Sequence, residues 1–239
     1  MQSTLDPEEV RRRVQTDDIG KLDTLVAKED ISLFDGKLCA PCNSQTRSSL
    51  CLQPTHWATS QLCQRLGIPT AYFRRCPTEL QDFQFNHWIG ADGRSGEKWF
   101  LRARGSQLRG VLTSRYTPLD NHELMDAVLP IAEDRFTVSW FALTEESLHL
   151  RLIDPRLGRD VLPDDRLTVG VHVANSEVGL RSVTIDALVY RLVCTNGLIR
   201  LVKGKSLLHR RHVSIDRTDL PAREQVIRNT LKREGLWLR

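Results

Sequence analysis

Apolar and polar residues alternate along much of the second half of the chain, with the period of two that is typical of β-strands. The strand-like runs are separated by short polar or glycine-containing segments, so neighbouring runs are expected to pair as hairpins. The last two runs are almost continuously apolar, as expected at the centre of an antiparallel sheet that packs on one face. The pattern predicts three hairpins, which join residues 99–104 to 108–113, 136–143 to 147–153, and 166–175 to 182–194.

Other segments carry apolar residues at helical spacing, together with residues that begin or end helices. Residues 55–66 predict a helix that ends at Gly67, and a further helix begins near Pro77. Asp120 or Asn121 is expected to cap a helix that continues through Leu129. The sequence therefore predicts an α+β fold, in which a mainly antiparallel sheet is built from hairpins and helices pack on one of its faces.

Residues 1–53 are predicted to form an N-terminal arm or partly ordered segment with a cysteine-containing loop. Its first part looks amphipathic, and Pro7, Glu8 and Glu9 are suited to a first helical turn. Residues 54–239 are predicted to form the α+β core domain. This domain is expected to end in a basic helix over residues 219–238.

Charge is distributed unevenly along the 239 residues, although the formal net charge is only +4. From Arg181 onward there are 13 Lys and Arg against 5 Asp and Glu, which leaves 21 against 25 in the first 180 residues. The C-terminal quarter is therefore expected to face a polyanion, or to be a solvated basic surface. No segment is apolar enough to span a bilayer and no signal-peptide core is present, so no membrane association and a cytoplasmic location are expected.

Five of the six cysteines lie in the first third of the chain and are expected to be free thiols. A zinc site is the less favoured alternative, because only one close CxxC pair is present. Its candidate ligands are Cys39, Cys42, Cys51 and Cys63.

Arginines and aromatic rings recur along the first predicted hairpin and the loop that follows it. Guanidinium groups neutralise phosphate and flat rings stack on bases, so this combination is typical of single-strand nucleic-acid binding. Residues 102 and 104 lie on one face of a strand, which we expect to be exposed to solvent. The predicted nucleic-acid-binding residues are Trp99, Arg102, Arg104, Arg109, Arg115 and Tyr116 from this region, and Arg191, Arg200, Lys203, Lys205, Arg210 and Arg211 from the basic region.

Four segments together resemble the phage/plasmid-like family called domain of unknown function 932. The resemblance covers most of the chain, from about Pro54 to the C-terminal helix. It implies a protein of a mobile element, and such elements mostly encode proteins that replicate, recombine or protect DNA. It supplies no catalytic residues. The segments are Asn86-His-Trp88, Leu112-Thr-Ser-Arg-Tyr-Thr-Pro-Leu-Asp-Asn121, Leu180-Arg-Ser-Val-Thr184 and Tyr190-Arg-Leu-Val-Cys-Thr-Asn-Gly197.

The favoured hypothesis is a non-enzymatic protein without a cofactor that binds single-stranded DNA and assists annealing or recombination, with homo-oligomerisation left open. Two alternatives remain. One is a metal-dependent enzyme acting on nucleic acid, which would use Asp120, His122 and Glu123 or the pair His209 and His212. The other is a protein-binding module that targets a host factor.

Overall fold

The structure is a computed structural model that describes residues 5–43, 46–91, 96–133, 136–162, 165–192 and 199–212. Side-chain environments are described for these residues except 42–43, 46–49, 131–133, 157–162, 165–167, 190–192 and 199–205. The described chain divides into two compact units. The five-stranded unit contains residues 5–18 and 117–212, and the six-stranded unit contains residues 19–116.

Five α-helices and eleven strands occur among the described residues. The helices are α1 (Pro7–Asp18), α2 (His56–Leu66), α3 (Thr70–Phe73), α4 (Thr78–Ala91) and α5 (Asn121–Glu133). The strands are β1 (Lys21–Ala27), β2 (Ser32–Phe34), β3 (Lys37–Asn43), β4 (Thr46–Pro54), β5 (Lys98–Arg104), β6 (Gln107–Thr113), β7 (Thr137–Leu143), β8 (Leu148–Leu162), β9 (Asp165–Asn175), β10 (Val183–Leu192) and β11 (Ile199–Arg210).

The five-stranded unit is an antiparallel sheet in the order β11-β10-β9-β8-β7, with α1 and α5 on one face. Every second residue of the inner strands points to these helices, as the pleat requires. One apolar row crosses the sheet at Leu150, Val173, Ile185 and Leu208, which face each other in register. Together with apolar residues of both helices it forms the core of this unit.

The six-stranded unit has the strand order β1-β5-β6-β4-β3-β2. All its described pairings are antiparallel except that of β4 with β6, which is parallel. Side chains of α2, α3 and α4 pack with the strands in a second core, which includes Leu62, Phe73 and Phe85. Strand β5 lies between β1 and β6, and residues 99–103 are all buried.

The predicted fold class is confirmed, because helices pack against two mostly antiparallel sheets that are rich in hairpins. The first predicted hairpin is β5 with β6, the second is β7 with β8, and the third is β9 with β10. The predicted helix after Pro54 is α2. Its N-terminus is capped by the Thr55 hydroxyl, which accepts the N–H of Ala58 at 3.2 Å, and it ends at Gly67 with a φ of 69°.

The N-terminal segment is more ordered than its sequence pattern predicts, and strand β4 crosses the predicted boundary at residue 53. Val10 and Val14 of α1 are buried in the core of the five-stranded unit, so this helix is not a loosely attached arm. Strands β2 and β3 form a tight hairpin around Asp35 and Gly36, whose φ angles are 50° and 70°. An Asp-Gly pair between apolar alternations is a strong hairpin signal, which the sequence analysis missed.

The basic helix predicted over residues 219–238 falls outside the described residues. Among the helices of the described residues, none is both long enough and apolar enough to cross a membrane.

Candidate functional site: the open face of the five-stranded sheet

The face of the five-stranded sheet opposite α1 and α5 carries a row of polar and aromatic residues. The register places Trp140 of β7 opposite Arg151 of β8, and Arg151 opposite His172 of β9. His172 in turn lies opposite Asp186 of β10, which faces Ser206 of β11. These residues alternate with the apolar row of the core, so the strands themselves direct them away from the helices. We call this surface the open face.

Trp140 and Arg151 form one half of the open face. The Arg151 guanidinium carbon lies 5.2 Å from the centre of the Trp140 ring, within the range of a cation–π interaction. The Trp140 side chain is 42% exposed, which is high for a residue of its size and leaves ring surface for a ligand.

Two histidines lie beside this pair. His149 Nδ1 and His172 Nε2 are 3.1 Å apart, and the two rings are inclined by only 9° with centroids 5.3 Å apart. The His149 ring is also 6.1 Å from the Trp140 ring. Three flat rings and one guanidinium group therefore lie on neighbouring strands of the same face.

The electrostatic environment favours the neutral form of both histidines. Burial lowers the pKa of His149 from its usual value of 6.5, and the positive charge of Arg181 lowers it further. Burial also lowers the pKa of His172. The charges of His149, Arg151 and Arg181 lower it further, whereas the negative charge of Asp186 raises it. A hydrogen bond between the two imidazoles needs a lone pair on one of them, so it is also lost when both are protonated.

We expect the thermal stability of the protein to fall by a few degrees between about pH 7.5 and pH 5.5 in a way that depends on these histidines. Because their folded-state pKa values lie below 6.5, the unfolded chain binds more protons as the pH falls. The contribution of the two histidines to stability is complete above their pKa in the unfolded chain. It is lost as the pH falls through their lowered pKa values in the folded chain. Thermal unfolding of the wild type and of His149→Gln/His172→Gln at both pH values measures this effect.

The matched control for that experiment is His87→Gln, which removes an exposed histidine of α4. It should retain the full pH dependence of the wild type. An equal loss of melting temperature in the wild type and in the double variant would contradict the assignment.

Three of the predicted nucleic-acid-binding residues are buried, so the expectation that they line an exposed surface is wrong. Trp99 is 1% exposed and packs under the guanidinium of Arg65, whose carbon lies 5.3 Å from the ring centre. Arg102 and Arg109 are each 2% exposed. Arg102 Nε donates to Asp23 Oδ1 at 2.9 Å, because β1 pairs with β5 and places the two residues opposite each other.

The other predicted residues divide into two groups. Arg115 of the six-stranded unit and Arg210 and Arg211 of the five-stranded unit are exposed, whereas Arg104 and Tyr116 are half-buried. The second group lies on β10 and β11, where residues 191 and 200 face each other, but its side chains are outside the described set. Its members are Arg191, Arg200, Lys203 and Lys205.

The predicted zinc ligands are not available as a set of free thiols. Cys39 and Cys51 face each other on β3 and β4 and form a disulfide, so the expectation of free thiols is wrong for both. Cys63 is free but buried, and burial raises the pKa of its thiol and so disfavours the thiolate that binds zinc. The side chain of Cys42 is outside the described set.

The polar residues at the start of α5 have different uses. Glu123 Oε2 accepts the backbone N–H of Asp120 at 2.8 Å, as the acidic residue of a capping box does. His122 instead lies against Asp18, with 3.1 Å between Nδ1 and Oδ1. His209 is exposed and His212 is 5% exposed, so these two histidines lie in different environments.

The alternation of residues in β8 and β9 is a sequence signal for the open face. In residues 148–152 of β8, His149 and Arg151 alternate with three leucines, and His172 similarly interrupts the valines of β9. On a strand with one buried face, such residues must lie on the other face. The alternation alone does not identify which residues face each other across strands.

No family model matches this chain, and no curated protein and no solved structure matches it. The resemblance to domain of unknown function 932 therefore stays a prediction.

Proposed function

We propose that the protein binds single-stranded nucleic acid, with single-stranded DNA as the preferred ligand, on the open face of the five-stranded sheet. The observation that carries this proposal is the placement of Trp140, His149 and His172 beside Arg151 on one sheet surface. A base presents a flat aromatic surface whatever its identity, so rings at a sheet surface, here the exposed Trp140 and two half-buried imidazoles, bind single strands with little sequence preference.

The lowered pKa values of His149 and His172 support base stacking on this surface. At neutral pH the lowered pKa values leave both imidazoles uncharged, and an uncharged ring needs less desolvation than an imidazolium when a base covers it. Positive charge for the phosphates is supplied by Arg151 and by the exposed Arg181, which lies close enough to affect both histidines. Asp186 on the same face opposes phosphate, so binding should be moderate and depend on salt.

The exposed Arg210 and Arg211 lie at and just beyond the end of β11 in the same unit, and they remain proposed contacts for the sugar-phosphate backbone. Roles in annealing, recombination or an oligomeric assembly are further expectations of the same proposal. Binding to DNA would fit a cytoplasmic location, although disulfides such as Cys39–Cys51 are uncommon there.

We expect Arg151→Gln/Arg181→Gln to weaken binding to single-stranded DNA and to reduce its dependence on salt. The slope of log affinity against log salt concentration is negative, and each lost phosphate contact reduces its magnitude by about 0.7 for a single strand, so the magnitude should fall by roughly 1.4. Fluorescence titration of labelled single-stranded and duplex DNA at several salt concentrations measures both quantities.

The matched control is Arg12→Gln/Arg13→Gln, which removes the same charge from the same unit. Both arginines lie on α1, where their side chains are 70% and 52% exposed, and α1 packs on the opposite face of the sheet. This control should keep the salt slope of the wild type. Equal slopes in the two double variants, or no binding by the wild type at low salt, would reject the proposal.

A further inference from the structure

A second cluster of ligand-forming side chains lies in the five-stranded unit, where the end of α1 meets the start of α5. Asp18 is the last residue of α1, Asp120 directly precedes α5, and His122 lies in its first turn. Each offers one ligand atom, and the three atoms lie within 4.8 Å of one another. Two carboxylates and an imidazole are a ligand set that divalent transition metals prefer.

The contact between Asp18 and His122 has the spacing of two ligands of one ion. His122 Nδ1 and Asp18 Oδ1 are 3.1 Å apart. Two atoms that each lie about 2.0–2.2 Å from a zinc-sized ion are roughly 3.0–3.5 Å apart at octahedral to tetrahedral angles. The third group, Asp120, offers a carboxylate oxygen within 4.8 Å of both atoms.

The state of the imidazole is the independent observation that favours a ligand. His122 Nδ1 is inaccessible to solvent and makes no hydrogen bond among the described residues, although the Asp18 carboxylate is at hydrogen-bond distance. The His122 side chain as a whole is 33% exposed, so the feature that favours a ligand is the shielded nitrogen, which lies 3.1 Å from a carboxylate oxygen. An ion placed between the two groups would use the nitrogen lone pair and the carboxylate charge together.

The two helix ends have opposite effects on such an ion. Helix α1 ends in Asp17 and Asp18 and has no basic residue in its last turn, so negative side chains meet the negative end of the helix dipole. The N-terminus of α5, where Asp120 and His122 lie, disfavours a cation, so the two carboxylates must supply the attraction.

We infer that Asp18, Asp120 and His122 form a binding site for one divalent transition-metal ion of the Zn²⁺ or Mn²⁺ class. Three protein ligands leave coordination positions open for water or for a phosphate oxygen. The site differs from the one expected from the sequence, because Asp18 takes the place of Glu123, which is engaged in capping α5.

The test is a titration of the full chain, freed of metal with a chelator, with Zn²⁺ by calorimetry and with Mn²⁺ by electron paramagnetic resonance of the free ion. Mn²⁺ is included because thiols such as Cys63 and Cys76 are poor ligands for it. We expect one ion per chain, and we expect Asp18→Asn and His122→Gln each to raise the dissociation constant by about tenfold or more. Circular dichroism checks that both variants are folded.

His87→Gln is again the matched control and should bind both ions as the wild type does, because His87 is an exposed histidine of the other unit. The inference is overturned if the wild type takes up neither ion at a ratio of one per chain. It is equally overturned if both variants bind as tightly as the wild type. Because these titrations contain no nucleic acid, their outcome is independent of the proposed function.

Discussion

Asp23→Asn is expected to lower the free energy of unfolding of the six-stranded unit by about 1.5–3 kcal/mol, the usual contribution of a hydrogen bond to a charged group. The variant keeps the size of the side chain but removes the negative charge that lies 2.9 Å from Arg102 Nε. Arg102 is 2% exposed and Asp23 is 29% exposed, so the pair is only partly accessible to water. Urea unfolding followed by circular dichroism measures the change.

Two further variants separate the charge from other causes. Replacing both partners, in Asp23→Leu/Arg102→Met, should recover much of the lost stability, because no buried charge then remains. Glu9→Gln breaks the exposed ion pairs of Glu9 with Arg12 and Arg13 and should leave the free energy of unfolding almost unchanged. If Asp23→Asn unfolds like the wild type, Arg102 is stabilised by its other contacts and the ion pair contributes little.

The elements that the sequence predicts well are those whose chemistry is local. Helix α2 could be predicted because Thr55 and Gly67 provide the two caps that its ends require. The three hairpins could be predicted because each pairs neighbouring segments with a short connection. In these cases the pattern that forms the element lies within a few residues of it.

The elements that local patterns do not predict depend on partners that are distant in sequence. Strand β1 has little alternation of its own and is completed by pairing with β5, where Asp23 meets Arg102 from 79 residues away. The same pairing makes β5 an inner strand and buries an arginine that local alternation places on a solvent face. The disulfide between Cys39 and Cys51 likewise needs the register of β3 with β4.

The open face falls between these two cases. Its residues could be placed on the solvent side of their strands from alternation alone, as His149 and Arg151 illustrate. Their arrangement into a row could not be predicted from alternation, because it depends on a bulge in β7 between Val138 and Trp140. This bulge places Trp140 opposite Arg151. A shift by one residue would move this ring to the other face of the sheet.

Trp140→Ala is expected to give the largest loss of nucleic-acid binding of any single substitution on the open face. A stacked base contributes about 1–3 kcal/mol, so the affinity for single-stranded DNA should fall roughly 5- to 150-fold. The substitution also removes the ring on which Arg151 packs, so a phosphate contact of that guanidinium should weaken as well. Trp140→Phe keeps a flat ring at the same position and should retain most of the affinity.

The sharpest comparison is with Trp88→Ala, because Trp88 is an equally accessible tryptophan on α4 of the other unit. Its side chain is 48% exposed against 42% for Trp140, so exposed ring surface by itself predicts the same loss for both variants. Binding on the open face predicts a loss for Trp140→Ala alone, since Trp140 lies under the Arg151 guanidinium and next to the His149 ring, whereas Trp88 packs edge-on against the His87 ring. A loss confined to Trp88→Ala would transfer nucleic-acid binding to the six-stranded unit, where Arg115 is exposed.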